Sequence, residues 1–201
     1  MKTKLPQLNR PKIAFFTITI VSVGFLVYPL WNYTKFYLAL WSFNCALLDI
    51  TIDASQIMNT QIDAKLQITN PTDYSGLELT SIICGLEYID GEHVVVDINQ
   101  PWGHWGYQFV SSNVWTLKVQ TFSLKLPIIA YANVTVPLAF IINPFSGSEF
   151  DRNNAWSFVD FLTTHPEQME CRLNCRIMLS SFLGNFEIDR YFIYTTQVIY
   201  Q

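Results

Sequence analysis

The chain has 201 residues, half of them hydrophobic, with 12 basic and 16 acidic residues and a formal net charge of −4. That length accommodates one ordinary domain and an appendage. The acidic balance and the scatter of the basic residues exclude a nucleic-acid partner, since no patch is available to replace condensed counterions.

Residues 1–12 form a short basic tail with Lys2, Lys4, Arg10 and Lys12. Residues 13–34, "IAFFTITIVSVGFLVYPLWNYT", carry no charge and no polar face. About 20 mainly apolar residues suffice to cross a bilayer, so this segment reads as a transmembrane helix. A cleaved signal peptide would end at small residues. This run ends instead in bulky rings, and Tyr28, Trp31 and Tyr33 suit the headgroup level. Pro29 lacks an N–H and predicts a kink or the helix's outer end.

Four basic residues precede the span and only Lys35 follows closely, which predicts a cytoplasmic amino terminus and an extracytoplasmic remainder. The first acidic residue is Asp49, and from there on the chain holds seven basic residues against all 16 acidic ones. Residues 35–46 remain apolar and read as a juxtamembrane helical stalk that packs on the bilayer or on the domain, rather short for a second crossing.

From residue 47 to 201 the pattern changes to period two. In "QIDAKLQIT" Ile62, Ala64, Leu66 and Ile68 share one face, which predicts a strand with one buried and one wet side. Asn70-Pro71 then stops it. Proline removes a ladder donor and biases Asn70 away from helix, while the Asn side chain bonds the backbone two residues on. The apolar phase slips between Leu79 and Ile82, predicting a bulge near Ser81. Asp90-Gly91 is a hairpin signal.

"NVTVPLAFII" again alternates, with Val134, Val136, Leu138, Phe140 and Ile142 on one face, before a second Asn-Pro at Asn143-Pro144. Pro137 belongs on an edge strand or at a bulge. "DRNNAWSFVDFLTTH" is the one good helix of the outer domain, with Trp156, Val159 and Leu162 on a common face and His165-Pro166 ending it. Phe186, Ile188, Phe192, Tyr194, Val198 and Tyr200 line up in the last strand. Seven to nine short strands with turns between them predict an all-β antiparallel sandwich of immunoglobulin or fibronectin-III type.

The stretch from "LDITIDASQIMNTQIDAKLQITNPTDYSGLELTSIICGLEYIDGEHV" to "SLKLPIIAYANVTVPLAFIIN" resembles the group 2 late embryogenesis abundant family, also called the water-stress and hypersensitive-response domain. Asn-Pro-Thr is its sharpest motif. The resemblance implies an immunoglobulin-like sandwich, often on a single membrane anchor, with no catalytic residues and no cofactor. It also implies an association with dehydration stress and, in some anchored branches, with bound lipid. The helix around Trp156 and the Cys171/Cys175 pair depart from the family pattern.

Chemistry-bearing residues are sparse. His93, His104 and His165 form no catalytic motif, and there is no G-x-S-x-G elbow. "CRLNC" lacks a second ligand pair at zinc spacing, so no metal is expected. Asp90 to His93, with Asp97 nearby, reads as a polar hairpin tip before a cation site. Trp102, His104, Trp105 and Tyr107, in "PWGHWGYQF", are candidates for ligand or membrane contact, weighed against rings that plug one end of the sandwich. Leu66, Ile68, Val136 and Phe140 are candidate lining residues of an inter-sheet cavity.

Asn133-Val-Thr135 is a glycosylation sequon. Asn32-Tyr-Thr34 lies too near the bilayer, and proline bars Asn70-Pro-Thr72. Cys84, Cys171 and Cys175 are disulfide candidates. Cys171 and Cys175 cannot bridge within one straight strand, where four residues span about 13 Å. In a turn they could, and pairing with Cys84 or free buried thiols are the other options.

The functional expectation is a non-catalytic, single-pass domain displayed outside the cytoplasm, whose partners are the bilayer and a bound lipid or surface protein. The alternative is a pilin-like assembly subunit with a helical stem and a β-rich head, against which no leader cleavage site precedes Ile13. A hydrolase would require Ser, His and an acidic residue to converge in one pocket.

Overall fold

The computed structural model describes residues 10–89, 114–164 and 167–200. Helix α1 runs from Arg10 to Ser42 and is followed by strand β1, Asn44–Asp53, with a single residue between them. The span and the stalk as far as Ser42 are therefore one helix, while residues 44–46, expected as helical stalk, already belong to β1. Pro29 lies inside it and does not end it. From residue 11 to residue 31 every α1 residue is exposed. That uninterrupted apolar surface is long enough to cross a membrane.

The other elements are β2 (Thr60–Asn70), β3 (Leu77–Ile89), β4 (Val114–Ile128), β5 (Ala132–Ile142), α2 (Glu149–Thr164), β6 (Gln168–Ser181) and β7 (Gly184–Ile199). The strands form one sheet of order β4-β3-β6-β7-β1-β2-β5. Every pairing is antiparallel except β1 with β7, which join in parallel through only Ile52–Val198 and Asp53–Ile199. That short seam divides a four-stranded half from a three-stranded half.

The sheet folds over at the seam until its edges approach each other. Phe122 on β4 lies edge-on to Phe140 on β5, with ring centroids 5.4 Å apart. Lys118 Nζ donates to the Ile141 carbonyl at 2.7 Å. The result is a β-rich near-barrel around one apolar core that takes side chains from both halves.

Alternation decides which side chains enter that core. Ile62, Ala64, Leu66 and Ile68 of β2 are buried, as are Val136, Leu138, Phe140 and Ile142 of β5. The register of β3 shifts between Leu79 and Ser81 against both β4 and β6, at the predicted bulge. Pro137 sits on β5, the last strand of the sheet order. Each buried Leu, Ile or Phe contributes about 1.5–3 kcal/mol relative to exposure.

Helix α2 closes the end of the near-barrel away from α1. Ala155, Phe158, Val159, Phe161 and Leu162 are its buried residues. Trp156, expected on the buried face, is half-exposed at the rim, edge-on to Phe145 at 5.4 Å. The rings of Phe158 and Phe161 fill the inward stripe against Tyr88, with centroids 5.3 and 4.8 Å from it. Trp156 is one position off that stripe, too far round for so large a ring.

Candidate functional site

The most densely built part of the molecule is the junction between α1 and the near-barrel. The last turns of α1 change character at Phe36. Phe36, Ala39 and Phe43 are at most 3% exposed, whereas Tyr37, Leu38 and Trp41 on the other side of the helix are open. Phe36 and Ala39, three residues apart, share one stripe of α1, and Phe43, the single residue between α1 and β1, is buried after them. Phe36 meets the ring of Tyr74 at 5.8 Å and that of Phe186, on β7, at 4.7 Å. Arg190, also on β7, donates from Nη2 to the Phe43 carbonyl at 3.3 Å, occupying an acceptor that the helix end leaves open. Burial pushes the adjacent Cys45 thiol up to about 12.

Polar groups fix the rim of this joint. Lys35 forms an ion pair with Asp73, on the loop of residues 71–76. Its ammonium also lies 5.4 Å from the Trp31 ring centroid. The loop is held by the Asn-Pro corner. Asn70 is buried; its Oδ1 accepts from Thr72 N at 3.1 Å and from Thr72 Oγ1 at 2.7 Å. Its Nδ2 donates to the Tyr74 carbonyl at 2.6 Å and to the Ile129 carbonyl at 3.4 Å. Tyr131 N donates to the Thr72 carbonyl at 2.9 Å, so the β4–β5 turn is stitched to the same corner. The role of Asn70-Pro71 is architectural.

The expected site residues scatter relative to this junction. Trp102, His104, Trp105 and Tyr107 lie outside the described residues, as do His93, Asp97 and His165. Leu66, Ile68, Val136 and Phe140 are at most 1% exposed and sit within the apolar core, Leu66 directly opposite Val136. Asn133 and Thr135 lie on the exposed side of β5.

Cys84 and Cys175 face each other across β3 and β6 with sulfurs 3.2 Å apart, both as free thiols. The contact with Cys84, followed by burial, raises Cys175 well above the ordinary thiol range. Cys171 stands opposite Tyr88 on the same strand, and burial pushes it up to about 12. Thiols held so high are poor nucleophiles at neutral pH. Among the described residues no group of three His, Cys, Asp or Glu side chains is placed to hold a metal.

The burial of Phe36, Ala39 and Phe43 puts this part of the chain on the domain, one of the two surfaces, bilayer or domain, expected for the stalk. The uniformly apolar run around them hides which side turns inward.

No family model matches the chain, and no curated protein matches it. Among solved structures, the chain is similar to an Arabidopsis thaliana protein, with TM-score 0.48 and 8% identity over 78% of this chain and 83% of that one. It is also similar to a protein described as late embryogenesis abundant, with TM-score 0.43 and 10% identity over 98% and 94% of the two chains. A protein from Archaeoglobus fulgidus gives TM-score 0.40 and 10% identity over 78% and 94%. None of these TM-scores reaches 0.5, so the likenesses assign neither a ligand nor an activity.

Proposed function

We propose that this is a single-pass membrane protein, amino terminus in the cytoplasm, that holds a non-catalytic β-rich domain against the outer face of the bilayer. The domain is read as an immunoglobulin/fibronectin-III-like module of the group 2 late embryogenesis abundant type, and its task as contact with lipid or a surface partner. The observation that carries the proposal is the continuity of α1, whose exposed apolar stretch passes without a linker into the buried residues Phe36, Ala39 and Phe43. A flexible tether would let the domain roam above the membrane. A helix cast into the core gives it a fixed height and tilt.

The packing of Leu66, Ile68, Val136 and Phe140 favours an interaction module over an interior lipid carrier. Lipid contact then belongs to the outside of the domain. The test is extraction of membranes with alkaline carbonate, combined with protease applied to intact cells. The full chain is expected to stay in the pellet, with epitopes after residue 44 cleaved from outside and those before residue 12 protected. Release into the supernatant, or the reverse protection pattern, overturns the reading.

A further inference from the structure

The β6–β7 hairpin turns on two residues, Phe182 and Leu183, with Ser181 paired to Gly184. Two-residue hairpin loops favour Asn-Gly, Asp-Gly or Gly-containing pairs because of their backbone geometry and exposure. Here Gly184, with φ of 134°, supplies the conformation an ordinary side chain resists. Ser181 Oγ accepts from Leu183 N at 3.0 Å. The two loop positions themselves are occupied by large apolar groups, Phe182 being 73% exposed and Leu183 38%. Nothing about the turn requires them, and in water they are a liability.

Their position along α1 explains them. Phe186 touches Phe36, which fixes the hairpin beside the helix. From Phe186 the strand runs four residues to Phe182, about 13 Å in extended chain. Ten helical residues from Phe36 back to Leu26 cover about 15 Å. The tip therefore descends along the membrane-side part of α1. Phe182 and Leu183 form one lip of a cleft of about 500 Å³, whose other wall is Leu26, Tyr28, Pro29, Leu30 and Tyr33. A hydrocarbon core about 30 Å thick takes about 20 helical residues, so one beginning after Lys12 ends near Asn32. Leu26 and Leu30 lie inside that limit, and the tip lies beside them.

We propose that the Phe182-Leu183 tip inserts into the outer leaflet next to α1, and that the cleft between them is filled by lipid acyl chain. This makes the anchor two-legged, one helix and one hairpin, and so fixes the rotation of the domain about the helix axis. The inference rests on α1 crossing the bilayer as proposed above.

The test uses the full chain in phosphatidylcholine nanodiscs with an environment-sensitive fluorophore on F182C, compared with L26C on α1 and F150C at the far end of the domain. The native cysteines are buried and leave the introduced one to react. Quenching by phosphatidylcholine bearing a nitroxide on its acyl chain is expected to be several-fold stronger at 182 than at 150 and similar to that at 26, with iodide in the water quenching only 150. If 26 is quenched by lipid while 182 behaves like 150, the tip lies in water and insertion fails although the anchor stands. If 26 also behaves like 150, the helix is not in the bilayer and both readings fail. A label at 182 shielded from both quenchers reports a protein neighbour and equally overturns insertion.

Discussion

Asn70-Pro71 at the α1 end of the domain and Asn143-Pro144 at the far end make the same turn, and their surroundings differ sharply. Both Asn side chains accept from the backbone N–H two residues on, Asn70 from Thr72 at 3.1 Å and Asn143 from Phe145 at 2.8 Å. Asn70 is buried and binds three further groups, holding a loop that is ion-paired to α1. Asn143 adds a long contact to Asn59 and opens onto an exposed turn before α2. One local device thus serves two ends with different energetic weight. The sequence motif sets the chain direction, whereas burial decides how much depends on it.

The largest expected contrast comes from the rings that close each end. Phe36→Ala at the α1 end and Phe158→Ala at the far end each remove a fully buried ring and should cost about 3–5 kcal/mol, read by urea unfolding in mild detergent. A neutral Phe36→Ala would break the comparison, because it would reduce the end of α1 to a tether. Between the two ends, Cys84 and Cys175 offer a strap. Refolding with oxidised glutathione should join them, releasing two molecules of reduced glutathione, so that denaturing alkylation without reductant counts two thiols instead of four. A disulfide there should add about 2–4 kcal/mol. Four alkylated thiols after that treatment would show that the facing sulfurs do not bridge.

Smaller effects sharpen the contrast between the turns. Asn70→Ala strands buried groups and should cost about 1–3 kcal/mol, while Asn143→Ala should cost well under half of that. Equal losses would mean that burial is not what separates them.

The smallest expected effect lies in the cap of α2. Ser148 Oγ accepts from Asp151 N at 3.2 Å, and Asp151 Oδ2 accepts from Ser148 N at 3.1 Å, a reciprocal capping pair. Ser148→Ala should cost about 1 kcal/mol. The Ser148 hydroxyl and backbone N–H hold the Asp151 carboxyl below its ordinary range. Its stabilising contribution is therefore complete above the unfolded carboxylate value, about 3.9, and is lost as pH falls through the lower folded value. Asp151→Asn should lower the melting temperature near neutrality and converge with the parent chain in acid, so that the acid limb is flattened. A flattened neutral limb would contradict this assignment.

Much of this architecture is legible from period alone. The buried rows of β2 and β5 are read directly from alternation, and the slip from Leu79 to Ile82 marks the bulge, because one extra residue exchanges the faces of a strand. Helix α2 is legible too: of the expected face, Val159 and Leu162 are buried, and only Trp156 falls at the rim. The joint between α1 and the near-barrel is far less legible. An all-apolar helix has no contrasting face, so the inward turn of Phe36, Ala39 and Phe43 is silent in hydropathy. The Cys84–Cys175 encounter depends on the register between strands 91 positions apart in the chain, which no local pattern encodes. Phe182-Leu183 breaks turn chemistry, and its meaning emerges only once the tip is seen beside α1.

The central claim is that the end of α1 belongs to the domain's core. It is tested most directly by comparing thermal unfolding of a chain beginning at Lys35, just beyond the proposed span, with that of one beginning at Asn44. The account predicts a cooperative transition for the first and a transition lowered by many degrees, or none, for the second. Superimposable transitions would contradict it, leaving the helix as a leash on a domain that does not need it.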